Sequence, residues 1–214
     1  MRLCLRVSGE LLSTLGVVVL GFLAYMYWGT ALRTSAAQHA FASELTSQWS
    51  GASELAALTG PAKLALGEPF ALLRIPQLGP SWQFAVVQGT GLTQLALAPG
   101  HLPGSALPGQ VGNFVIAGHR VTAGNPFWRL PSLHAGSLII VVTINASYEY
   151  EVTGRPRPGP ADDTAVTAPV PYHTGERARL RMITLITSDP PWTGTSRVVV
   201  TGVLVRALPR QPGS

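Results

Sequence analysis

A single cysteine, Cys4, stands in the 214-residue sequence, which excludes an internal disulfide framework and any cysteine-cluster metal site. Charge is scarce too. Asp, Glu, Lys and Arg make up 12% of the chain, against about 25% in an ordinary soluble domain, so part of the molecule is not ordinary water-facing surface. Acidic residues are fewer than basic ones, 10 against 15, and the net charge of +5 is spread thinly. Arg177, Arg179 and Arg181 form the one dense group, expected as a solvated row on one face of a strand. Basic residues nowhere interleave with aromatics, so nucleic acid is not an expected partner. The patterns G-x-S-x-G, H-E-x-x-H, C-x-x-C and G-x-x-x-x-G-K-[ST] are absent, which removes the hydrolase-elbow, zincin, thioredoxin-like and P-loop chemistries. His39, His101, His119, His134 and His173 show no metal-ligand spacing, so neither a metal nor a cofactor is expected. With Gly 23 and Pro 18 the chain is rich in turns yet below the roughly 25–30% that marks disorder. A hydrophobic fraction of 46% suffices for a core.

Long apolar runs are also few. From Leu11 to Leu32 no charge occurs, between Glu10 and Arg33. As a helix this run would be ~33 Å long, enough for a hydrocarbon layer of ~30 Å. Tyr25, Tyr27 and Trp28 near its end suit an interface, and Arg2 and Arg6 ahead of it place the N-terminus in the cytoplasm. The expected organisation is a cytoplasmic N-terminus over 1–10, a transmembrane anchor over 11–32, an extracytoplasmic spacer over 33–67, a β domain over 68–207 and a frayed tail over 208–214. A cleaved signal peptide, with Ser35-Ala36-Ala37 as the cleavage site, is the competing reading. The anchor is preferred because the run exceeds the 7–15 apolar residues of a signal peptide. It also accounts for part of the positive mean hydropathy of +0.27.

After Glu68 the texture turns to short β-type runs with Gly/Pro punctuation: 70–75, 82–88, 113–117, 137–144, 148–153, 165–170, 180–187 and 197–205. Residues 148–152 alternate as a half-wet strand should, whereas 138–142 and 182–186 are nearly continuous apolar runs, as in strands covered on both sides. Asn145-Ala146-Ser147 reads as a hairpin link. Eight strands, with one short helix expected over 125–133, predict an all-β closed barrel behind a single N-terminal transmembrane helix.

Two places could carry chemistry. One buried run ends at Ser188 and the next starts at Arg197. Paired as an antiparallel hairpin, they set a hydroxyl opposite a guanidinium at a loop mouth, where the arginine could hold a carbonyl or an oxyanion. Upstream, Asn113-Phe114-Val115-Ile116-Ala117 runs through Gly118 into His119 and Arg120, leaving an imidazole at a strand end. The two halves could meet on one rim.

These residues resemble the sortase family. The similarity lies in Ala117-Gly118-His119-Arg120, in Thr184-Leu185-x-Thr187 followed by position 188 and Pro190, and in an arginine nine residues after position 188. The stretch from Pro99 to Gln110 and the Pro126-Phe127-x-Arg129-Leu130 segment are similar to class E sortases of actinobacteria. The resemblance implies an eight-stranded β-barrel and a cysteine transpeptidase outside the membrane. It would cleave an LPXTG- or LAXTG-type sorting signal between Thr and Gly through a thioacyl enzyme. An amine acceptor, a cell-wall peptide or pilin lysine, would then release the product, attaching a surface protein. By position, His119 and Arg197 take the family's histidine and arginine.

Position 188 departs from that pattern, because serine stands where the resemblance implies cysteine. A thiol with a pKa of ~8.5 supplies some thiolate near neutrality, whereas a hydroxyl supplies essentially none and needs an oriented general base. Asp189 is expected to face away from Ser188, and Cys4 lies on the wrong side of the membrane to substitute. Three accounts follow: a sortase scaffold that binds without turnover, an active serine variant, or an engineered substitution. A β-barrel binding module without catalytic ancestry is the alternative from a different class.

Overall fold

The computed structural model describes residues 2–25, 29–51 and 64–210. Helix α1 spans Arg2–Ala24 and α2 spans Thr30–Gly51. Nine strands follow: β1 Pro69–Arg74, β2 Gln83–Gln88, β3 Gly100–His101, β4 Gly112–Ala117, β5 Leu138–Val142, β6 Ala146–Val152, β7 Arg157–Pro160, β8 Arg181–Asp189 and β9 Ser196–Pro209. A short helix α3, Leu92–Leu95, lies between β2 and β3.

The strands run in the order β6-β5-β1-β2-β3-β4-β8-β9, and β6 pairs again with β9. That last pairing closes an eight-stranded barrel, and β7 is a ninth strand attached outside the ring to β9. Most neighbours are antiparallel, but β2–β3 and β4–β8 are parallel. Period two sorts the side chains. Phe114, Ile116, Ile183, Leu185 and Val200 point into the barrel core. Val115, Ile186 and Val199 point outward and pack under Val166. The 182–186 run is therefore continuously apolar because both of its faces are covered, by the core within and by the segment before β8 without.

Several expectations need correction. Residues 165–170 do not form a strand; a 3-10 turn spans Thr164–Thr167, capped by Asp163, whose carboxylate accepts from the Ala165 N–H at 2.9 Å. Asn113 holds this segment against the barrel, donating to the Val166 and Ala168 carbonyls at 3.2 and 3.0 Å, so those carbonyls are engaged by a side chain. The expected helix over 125–133 contracts to a 3-10 turn at Leu130–Ser132. Asn125, at φ 45, lies outside the right-handed region, and the residues after it close i→i+3 turns, Trp128 N–H to the Asn125 carbonyl and Leu130 N–H to the Phe127 carbonyl. Only Arg181 of the three arginines is in a strand, so the expected row on one strand face does not form. The expected tail begins late: β9 runs to Pro209, opposite Ala146. Residues 211–214 lie outside the described part.

The 33–67 spacer contains a helix packed on the barrel. Leu45 and Trp49 of α2 are buried against Leu72 and Ala85. Gln38 accepts from the Ala85 N–H at 2.6 Å and donates to the Leu97 carbonyl at 3.2 Å. Residues 52–63 lie outside the described part. The expected single span over 11–32 is not recovered: α1 ends at Ala24, residues 26–28 lie outside the described part, and no described helix is long and apolar enough to cross a membrane.

Candidate active site

The outward faces of β4, β8 and β9 form the floor of a cleft of about 380 Å³. Val115 and Ala117 come from β4, Ile186 and Ser188 from β8, and Arg197 from the start of β9. Alternation along each strand carries the apolar floor to a polar end. His119, Ser188 and Arg197 all line this one cleft, each half-buried.

Local structure fixes each of the three. Ser188 and Arg197 are direct partners in the β8–β9 ladder, so the expected hairpin juxtaposition forms. The intervening loop turns through Gly194 at φ 62. His119 follows β4 through Gly118, and a Cβ at Gly118 would stand 2.7 Å from the Phe127 ring. Glycine is needed there because the buried Phe127 packs directly on the backbone. Gly118 is tied to β8 on both sides: its N–H donates to the Ile186 carbonyl at 3.1 Å, and its carbonyl accepts from the Thr187 hydroxyl at 2.8 Å. The segment that leads into His119 and the strand that carries Ser188 are thus laced together one residue before each of these side chains.

Burial lowers the His119 pKa below the usual imidazole value, because the charged ring loses water. The ring is therefore neutral at pH 7, the state of a proton acceptor. No carboxylate holds it among the described residues. Asp189 instead pairs with Arg120 at 2.5 Å, on the side of β8 facing away from Ser188. The other histidines have separate roles. His101 is 2% exposed and hydrogen-bonds Gln88 at 2.6 Å and Ser105 at 2.9 Å inside the fold. His134 is exposed, and His173 faces Glu176 at 3.4 Å. Among the described residues, no three His, Cys, Asp or Glu side chains gather where they could hold a metal.

The sortase-domain family model matches residues 73–205, the β-barrel from within β1 to within β9. The chain belongs to the sortase family. Its relatives include sortase SrtE1 of Streptomyces coelicolor, 31% identical over 97% of this chain and 59% of that protein. Sortase SrtE2 of the same organism is 27% identical over 94% of this chain and 81% of that protein. This chain therefore spans about three fifths of SrtE1. Among solved structures, sortase E from Streptomyces avermitilis superposes with a TM-score of 0.63 at 34% identity, covering 70% of this chain and 96% of that one. Sortase E1 from Streptomyces coelicolor, solved with a tripeptide in its active site, gives 0.61 at 31% identity, covering 71% and 97%. Class E is the sortase class that these matches fit.

Sequence reasoning missed other cleft residues. Thr90, Leu95, Ala161 and Thr167 complete its walls, but they come from loops, a 3-10 turn and the four-residue α3, all too short to show periodicity. Leu102, within the Pro99–Gln110 stretch, and Gly194, in the loop between Ser188 and Arg197, line it as well.

Proposed function

We propose that this sortase binds an LPXTG- or LAXTG-type sorting signal in the cleft and is impaired in transpeptidation because Ser188 occupies the nucleophile position. The convergence of His119, Ser188 and Arg197 on one cleft carries the reading. Leu95, Leu102, Val115, Ala117 and Ile186 offer an apolar wall, suited to the small aliphatic side chains of an extended peptide.

In the proposed reaction the group at position 188 attacks the carbonyl carbon of the Thr–Gly bond. Arg197 holds the developing oxyanion, and His119 takes the proton of the group at position 188 and passes it to the departing amine. An acyl enzyme results, and an amine acceptor, a cell-wall peptide or pilin lysine, releases it with transfer of the acyl group. A serine must lose its own proton during attack, and among the described residues no carboxylate orients His119 for that task. This observation favours slow or absent turnover and keeps non-catalytic sorting-signal recognition as the second reading.

The comparison of native chain, Ser188→Cys and Ser188→Ala with an LAXTG-type peptide and an amine decides between these readings. Product from Ser188→Cys alone is expected. Turnover by the native chain that disappears in Ser188→Ala would instead establish a serine enzyme. Failure of all three to bind peptide would overturn the sorting-signal reading.

The uncharged run and the exposed Leu11, Leu12, Leu15, Val17, Leu20 and Phe22 of α1 support membrane attachment, with the barrel extracytoplasmic. The native chain should float with phosphatidylglycerol-containing vesicles. Recovery at the bottom of the gradient would refute attachment.

A further inference from the structure

Three chain segments meet at the cleft, and each shows alternate residues to two sides. His119, Ser188 and Arg197 line the cleft. Their successors Arg120, Asp189 and Val198 line a second cavity, of about 430 Å³, behind it. The backbone lacing between β4 and β8 stops at Gly118 and Thr187, one residue short of the imidazole and of the nucleophile position. Past that point Arg120 carries the connection. Its Nη1 donates to the Asp189 carboxylate at 2.5 Å and to the Ser188 backbone carbonyl at 3.2 Å. The two side chains are 14% and 34% exposed, so salt screens this contact less than an open surface bridge. One guanidinium, on the residue after His119, therefore holds both the carbonyl of the Ser188–Asp189 peptide unit and the side chain that follows it.

We propose that Arg120 is a positioning residue, which sets the backbone at position 188 in register with the His119 imidazole and the Arg197 guanidinium. It faces away from the cleft and acts only through the peptide unit it holds. The proposal deepens the transpeptidase reading and rests on it for the expected effect on turnover.

The test uses the full chain with Ser188→Cys and Cys4→Ala, so that position 188 holds the sole thiol. Arg120→Met, Arg120→Lys and Asp189→Asn are added singly, beside Val152→Ala, a core truncation remote from the cleft. Three quantities are read: kcat and KM for peptide–amine transfer, the pH dependence of thiol alkylation by iodoacetamide, and the thermal midpoint. Arg120→Met should lower kcat about ten- to a hundredfold, the scale of a ~1 Å misplacement, leave KM nearly unchanged and displace the alkylation profile. Arg120→Lys, which keeps a donor, should recover part of the loss, and Asp189→Asn should lose less than Arg120→Met.

An Arg120→Met that loses no more kcat than Val152→Ala at matched thermal midpoint, with an unmoved alkylation profile, would reduce Arg120 to a structural residue. Should Arg120→Met fail to fold, Arg120→Lys and Asp189→Asn carry the same comparison. If the parent variant makes no product, the transpeptidase reading falls, and the alkylation profiles still decide whether Arg120 positions residue 188.

Discussion

At the scale of single residues, the cleft depends on one missing side chain. Gly118 lets the Phe127 ring lie against the backbone that leads into His119, and a methyl group there would meet the ring at 2.7 Å. Gly118→Ala should destabilise the fold by about 1–3 kcal/mol, the usual range for overpacking a filled core, measured by denaturant unfolding. In the Ser188→Cys background it should also slow transfer, because the displaced segment carries His119. Unchanged stability would mean that the ring moves aside freely. That His119, Ser188 and Arg197 share one rim was legible in the sequence because each lies at or just past the end of a strand whose alternation is written in its apolar residues. The Arg120–Asp189 contact was not. It joins residues 69 apart in the chain. Alternation turns Asp189 away from Ser188, but Arg120 lies beyond the end of β4, where no periodicity says which way its side chain turns.

At the scale of elements, most strands were readable, and the exceptions have physical causes. β7 is Arg157-Pro158-Gly159-Pro160, with two prolines in four residues, and reads as non-strand. It forms because it pairs with β9 alone, at an edge where missing N–H groups are tolerated. The 165–170 run has strand composition, yet Asp163 and Asn113 offer its backbone other partners. α2 carries only a weak pattern, and its stability comes from its seat on the barrel. Part of that seat is Gln38, whose amide reaches the N–H of the buried Ala85 on the edge of β2 left uncovered by the short β3. Gln38→Ala should therefore cost about 1–3 kcal/mol, the penalty of an unsatisfied buried donor. Faster hydrogen exchange at the Ala85 amide is the specific signature. Exchange as slow as in the native chain would show that another group covers the edge.

At the scale of the whole molecule, two histidines, His101 buried and His119 half-buried, link stability to pH. Burial lowers the pKa of both His101 and His119. The unfolded chain takes up these protons near pH ~6.5, the folded chain only further down. The unfolded state thus binds more protons across that window, and stability falls as pH drops through ~6.5 towards the folded values. The thermal midpoint should decline between about pH 7 and about pH 5, and His101→Gln should flatten that decline. An equal slope in the variant would place the acid sensitivity elsewhere.

The same scale gives β9 its importance. Its 14 residues meet β8 and β7 at the Arg197 end and β6 at the Pro209 end. It follows the other eight described strands in chain order, so during synthesis no fragment that ends before it can hold both a closed barrel and a finished cleft. A nascent chain halted before Ser196 would leave the edges of β8 and β6 bare, open to pairing with other chains. Arg197 therefore arrives with the strand that seals the domain, and assembly of the cleft waits on the completion of the fold.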